Sequence, residues 1–257
     1  MISLTQLEWP AILMVVSIML FAGLVHGTLG LGFPMVATPM LAISFDVRSA
    51  ILLTLLPTVS VNLMSIWNSR DSFDSVQRFL PLTGFTLVGG IIGAYILANT
   101  EPEPFGLVLA GLILLYLWSN NSATISFHWI SNHALAGMVI FGLLAGLSGG
   151  TTNVMVAILI IFFLSLEVPR KEMVPALNAC FLVGKLSQIV IFALAGLISL
   201  ALLIETTPMA LAAVIALQFG QVLREKIAVD VYRKVLQWLL AALAIVLIVQ
   251  FSINVNH

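Results

Sequence analysis

Charge is what this chain has least of: Asp, Glu, Lys and Arg make up 8% of its 257 residues, against 61% hydrophobic residues. That is too little polar surface to cover a soluble globule, so most of the mass must lie in lipid. There is no basic run and the formal net charge is −1, which argues against a nucleic-acid partner. The single cysteine, Cys180, excludes an internal disulfide framework and a Cys-based metal cluster. No carboxylate lies deep in an apolar run; they cluster at loops and ends. His128 and His133 have neither Cys nor carboxylate at ligand spacing, so no metal site is expected. Nor is there a Ser/His/Asp set or an H-x-x-x-H pattern with carboxylates, which argues against an enzyme. No cofactor is called for.

What the chain does have is long apolar runs. A helix crossing the hydrocarbon layer needs about 20 apolar residues. Ten apolar segments are readable, at 10–26, 31–44, 49–67, 79–98, 104–119, 134–148, 152–166, 172–195, 198–223 and 231–251. The second and seventh are short enough to be half-helices that enter the bilayer and stop. The expected fold is an all-α polytopic membrane protein with eight to ten membrane segments, forming a single transmembrane domain over 1–257. Monomer and homodimer are both compatible with the sequence.

An internal repeat divides that domain. "FAGLVHGTLGLGFPMVATPML" at 21–41 resembles "LAGLSGGTTNVMVAILIIFFL" at 144–164, and "DVRSA" at 46–50 faces "EVPRK" at 167–171. Repeat one covers 10–119 and repeat two 134–251. With five segments per half, the loops at 68–78, 167–172 and 224–234 share one face, with Arg70, Arg78, Arg170, Lys171, Arg224, Lys226, Arg233 and Lys234. The opposite face receives only Arg48. The positive-inside rule makes the first face cytoplasmic and sends both termini outward, which implies inverted repeats. A single crossing over 10–44 would instead give eight spans and parallel repeats.

The glycine-rich stretches read as breaks. Isolated glycines in membrane helices often serve close packing. In "HGTLGLGFP", however, Gly27, Gly30 and Gly32 are stacked with Pro34 in a run too long for one crossing. In the second copy, "SGGTTN", Gly149 and Gly150 precede three good N-caps. A break at membrane depth is tolerated where it lines a polar cavity or is buried in protein. The opening of a half-helix carries partial positive charge and suits an anion. Thr28, Thr151, Thr152 and Asn153 are therefore expected at the mouths of half-helices, donating hydrogen bonds to a substrate.

The polar residues inside the spans point the same way. Lys185 lies about ten residues into its segment, too deep to snorkel easily, and calls for compensation. Asn178 and Gln188 fall near the same helical face, and with no deep carboxylate the natural partner is a small anionic ligand. Thr54, Thr58, Asn62 and Ser65 recur at helical spacing in the first half. Threonine and serine there often bond the preceding turn, but Asn62 falls at the repeat position of Lys185 and is a candidate neutral counterpart. His26 is a possible proton-coupling residue, although a lone histidine is more often a packed one.

These residues resemble the TauE/SafE family of membrane transporters, linked to export of sulfite and small organosulfonates. The resemblance rests on the first break with "FPMVATPML", on "AGLSGGTTNVMVAILIIFFL" and "NACFLVGKLSQ" in the second half, and on "EPEPFGLVLAGLILLYLW" at 101–118. It implies a secondary transporter exporting a sulfur-containing or related organic oxyanion, with membrane lipid as a further partner, in a bacterial cytoplasmic (inner) membrane. An uptake permease for a metal cation or other small solute is the alternative, and a membrane-embedded enzyme is a more distant one.

Overall fold

The computed structural model describes residues 8–68, 73–121, 128–224, 226 and 229–255; Arg70 lies outside them. The described residues are helical and contain no strand: α1 (Trp9–Leu29), α2 (Phe33–Ala42), α3 (Val47–Asn68), α4 (Phe73–Arg78), α5 (Leu80–Asn99), α6 (Pro104–Asn121), α7 (His128–Asn132), α8 (Ala134–Thr152), α9 (Val156–Ser165), α10 (Arg170–Leu194), α11 (Leu200–Arg224) and α12 (Val229–Val255). Seven of these are long and apolar enough to cross a membrane, and α2, α6 and α9 contain the shorter apolar helices. At 1.5 Å per residue the 21 residues of α1 cover about 30 Å, the thickness of the hydrocarbon layer, whereas α2 and α9, of 10 residues each, cover about half of it.

Left-handed backbone ends both helices that precede the half-helices. Gly30 (φ 78°) closes α1, its amide donating to the His26 carbonyl, and Gly32 (φ 105°) turns the chain into α2, which carries Pro34 in its first turn. Asn153 (φ 68°) closes α8 in the same manner, its amide donating to the Gly149 carbonyl at 2.9 Å. Asparagine is among the few non-glycine residues that tolerate this region. One register relates the two halves here: Gly30 matches Asn153, Phe33–Ala42 matches Val156–Ser165, and Val47 matches Arg170, the first residues of α3 and α10.

The breaks therefore lie later than the sequence suggested. Segment one runs on to Leu29 and segment six to Thr152, so Gly27, Gly149 and Gly150 are helical residues, not break residues. Their smallness serves packing. A Cβ at Gly27 would strike the Leu217 carbonyl oxygen and lie 2.9 Å from the Gly220 Cα; one at Gly150 would lie 2.6 Å from the Ala94 nitrogen. A Cβ at Gly149 would collide with the side chain of Met155. Glycine fits both roles, and only the partner helix decides between them.

Helix pairing is the same in both halves. The helix pair α1–α11 corresponds to α8–α5, α3–α11 to α10–α5, and α2–α12 to α9–α6, while α3–α10 and α6–α12 join equivalent helices. Polar contacts at the ends fix directions. Arg48, at the start of α3, donates to the carbonyls of Leu97 and Thr100 at the end of α5. Arg78, just before α5, pairs with Glu172 at the start of α10 at 3.5 Å. Hence α3 begins where α5 finishes and α10 begins where α5 begins, so the equivalent helices α3 and α10 run in opposite directions. Arg78, Arg170, Lys171, Arg224, Lys226, Arg233 and Lys234 all flank helix termini at one end of the molecule, and Arg48 at the other.

Gly27→Val and Gly150→Val should each lower the melting temperature of the detergent-solubilised protein, through overpacking of about 1–3 kcal/mol. Gly111→Val, where an added Cβ meets nothing within 4 Å, should leave it nearly unchanged.

Candidate substrate site

The site is assembled around the second break. Left-handed backbone at Asn153 aims its side chain away from α8 and into the other half, where Nδ2 donates to the hydroxyls of Thr38 on α2 (2.9 Å) and Thr54 on α3 (3.1 Å). Its Oδ1 accepts from Lys185 Nζ at 2.5 Å. Lys185 also donates to Gln188 Oε1 at 2.5 Å, and Gln188 Nε2 donates to the carbonyls of Gly149 (2.9 Å) and Gly150 (3.0 Å). The Gly150 carbonyl, left over by the helix, is thus satisfied by a side chain where no water is at hand, and the Gly149 carbonyl accepts from Gln188 in addition to the Asn153 amide.

Lys185 is 2% exposed, and among the described residues no carboxylate is buried. A lysine at the centre of a lone membrane helix costs roughly 2.5–3.5 kcal/mol on insertion scales. Its position beside the negative end of the α8 dipole offsets up to about 2 kcal/mol of that. The two amide oxygens accept two of the three N–H bonds of an ammonium, and being neutral they do not balance its charge. Lys185, Gln188 and Asn153 share a cavity of about 10 Å³ with Thr58 of α3, Pro34 at the head of α2 and Met155 just before α9. The head of α2 and the approach to α9 thus meet the lysine from both halves. The cavity has room for about one water and is too small for an oxyanion in this conformation.

At the first break the chemistry differs. His26 lies fully inside, with Nε2 2.8 Å from the Ser65 hydroxyl and Nδ1 accepting from the Phe33 amide at 3.2 Å. An acceptor at Nδ1 places the ring proton on Nε2, an assignment that follows from these bonds. His26 thereby caps the first N–H of α2, and a second proton would point at the amide it accepts. Asn178 reaches across from α10 to donate to the carbonyl of Gly30 (3.0 Å), and within α10 it donates to that of Val174 (2.9 Å). Arg170 covers the neighbouring Leu29 carbonyl at 2.7 Å.

Of the residues singled out in the sequence, Lys185, Gln188 and Asn153 meet directly. Asn178 belongs to the first break instead. Thr28, Thr151 and Thr152 lie in the last turns of α1 and α8, not at half-helix mouths; their hydroxyls donate back to the carbonyls of Val25, Leu147 and Ser148. In lipid, a threonine preceding a left-handed cap bonds its own helix, since the cap is already made by backbone. Asn62 is wholly buried on α3, in register with Lys185. Sequence reasoning passed over Thr38, Thr54 and Thr58 as site residues. The signal for Thr38 was its place as the one hydroxyl inside the apolar run "FPMVATPML".

Because His26 holds a cap, His26→Leu should lower stability by about 1–3 kcal/mol, the cost of a buried donor left unpaired, read as a fall in melting temperature. A change in the pH profile of transport with unaltered stability would restore His26 as a proton carrier.

Two comparisons return nothing: neither a curated protein nor a solved structure matches the chain. A family model described as "Sulfite exporter TauE/SafE" matches residues 15–247. With apolar helices long enough to span a bilayer and a match over nearly its whole length, the chain belongs to the TauE/SafE family of membrane transporters.

Proposed function

We propose that the protein is a secondary transporter that carries a small sulfur-containing oxyanion, sulfite or a sulfonate, out across the bacterial cytoplasmic membrane by alternating access between inverted repeats. The observation that carries this reading is Lys185: a buried lysine bonded only to neutral amide oxygens, where the breaks of both halves meet. An anion supplies the missing charge. Hydroxyls, amides and half-helix openings around it suit small, hard oxyanions and discriminate poorly among them. The family supplies sulfur as the expectation. By the positive-inside rule, the end of the molecule flanked by Arg78, Arg170, Arg224 and Arg233 faces the cytoplasm.

The small cavity represents an occluded conformation. For an oxyanion to reach Lys185, the ammonium exchanges Asn153 Oδ1 for a substrate oxygen. Asn153 is also the residue that holds Thr38 and Thr54, so loading the lysine weakens a link between the halves. That couples occupancy to their relative movement, as differential binding requires.

Counterflow of labelled sulfite into proteoliposomes tests the function. Wild-type protein should exchange label, and Lys185→Met should reduce the initial rate by at least about tenfold. Absence of any sulfur-oxyanion exchange by folded wild-type protein would remove the function; full exchange by Lys185→Met would remove the site.

A further inference from the structure

Among the described residues, the buried side-chain nitrogens and oxygens that lack any hydrogen-bond partner fall on three residues: Thr58 Oγ1, both amide atoms of Asn62, and Asn178 Oδ1. All three side chains are at most 1% exposed. Buried polar groups are almost always bonded, and in lipid the surroundings offer no substitute. Concentration of the exceptions in one region is therefore informative.

They follow one another along the protein. Thr58 lines the Lys185 cavity. Asn62 lies one turn further along the same face of α3, and Ser65, which bonds His26, follows it. Asn178 stands two turns before Lys185 on α10 and touches the first break through Gly30. Both residues lie toward the end of the molecule that carries the arginines, where α3 finishes and α10 begins. There the half-buried Arg170 lies within electrostatic reach of Arg224 and Arg233.

We infer that Thr58, Asn62 and Asn178 form a second, uncharged subsite through which the transported anion passes between Lys185 and the arginine-flanked end of the protein. This rests on the anion transport proposed above. The Asn62 Nδ2 and the Thr58 hydroxyl donate to oxyanion oxygens. Asn62 Oδ1 and Asn178 Oδ1 need a donor in return, which a bare dianion lacks. The class that fits is a singly charged oxyanion that keeps a proton or a bound water. A subsite without charge binds less tightly than Lys185, so it passes the ligand on instead of trapping it, as conduction through successive sites requires.

Apolar replacement separates this role from a structural one. Asn62→Leu and Thr58→Val remove groups that hold no partner, so each variant should melt at or above the wild-type temperature. Sulfite counterflow should nevertheless slow by about tenfold or more. In Asn62→Leu, whose side chain lies outside the Lys185 cavity, the sulfite-induced rise in melting temperature, which reports Lys185, should persist at concentrations within about threefold of wild type. Wild-type rates in both variants would overturn the subsite. So would loss of the sulfite-induced rise along with transport in Asn62→Leu, because the groups would then belong to the lysine site. A rise induced by sodium over choline at equal ionic strength, present in wild type and lost in Asn62→Leu, would assign the atoms to a cation and also overturn it. A wild-type protein that exchanges no oxyanion would instead remove the underlying function, an outcome read before any variant is made.

Discussion

One amide holds the centre of this protein together. Asn153 ends α8, presents Oδ1 to the buried Lys185, and with Nδ2 grips Thr38 and Thr54 of the other half. Gly30, at the matching position in the first half, shows that glycine would end the helix equally well. Asparagine adds the link between halves. A hydrogen bond to a charged group contributes about 1.5–3 kcal/mol and a neutral one about 0.5–1.5 kcal/mol, so the bond to Lys185 is the strongest of the three. Any ligand that competes for Lys185 acts on a residue that also bridges the two halves.

Lipid forces a second constraint, that every helix end at membrane depth be met by protein. Here α10 meets two of them. Arg170 and Asn178 cover the carbonyls of Leu29 and Gly30 at the end of α1, and Gln188 covers those of Gly149 and Gly150 at the end of α8. His26 closes the start of α2 from within the first half. Both broken hairpins therefore lean on one helix, which also carries the lysine. Glycine contacts such as Gly27 with Gly220 and Gly93 with Gly150 bring the remaining helices to backbone distance, fixing how far the hairpins stand from their neighbours.

Much of this was legible in the sequence. Hydropathy and turn residues located the apolar helices and marked the second and seventh segments as too short to cross. Low identity between "HGTLGLGFP" and "SGGTTN" still put Lys185 and Asn62 in register. Depth in an apolar run singled out Lys185, helical spacing added Gln188, and the glycine pair before it marked Asn153. The sequence did not distinguish glycines that break from glycines that pack, because Gly27 and Gly30 differ only in what lies beside them: a neighbouring helix or a left-handed cap. For the same reason Thr151 and Thr152 looked like caps, while Thr38 and Thr54, with identical chemistry, looked like filler. A hydroxyl's role depends on whether a side chain from another helix arrives, as Asn153 does. Asn178 was assigned to Lys185 by helical spacing, but two turns carry it to the other break.

The two halves share a fold and divide the chemistry unequally. In register, Lys185 answers Asn62, Gln188 answers Ser65, and Gly149 answers His26. The second half closes its break with an ammonium and an amide; the first uses an imidazole and a hydroxyl. Two lysines would leave two uncompensated charges at mid-membrane whenever no ligand is bound, and each buried charge is costly without a partner. A single lysine limits that cost to one charge, part of which the α8 terminus already offsets. With a singly charged anion in place the centre becomes neutral, and a neutral centre can be enclosed by apolar helices and carried between two faces. In the anion transport proposed above, the unequal halves thus favour movement of the loaded form, which a symmetric pair of charged sites would oppose.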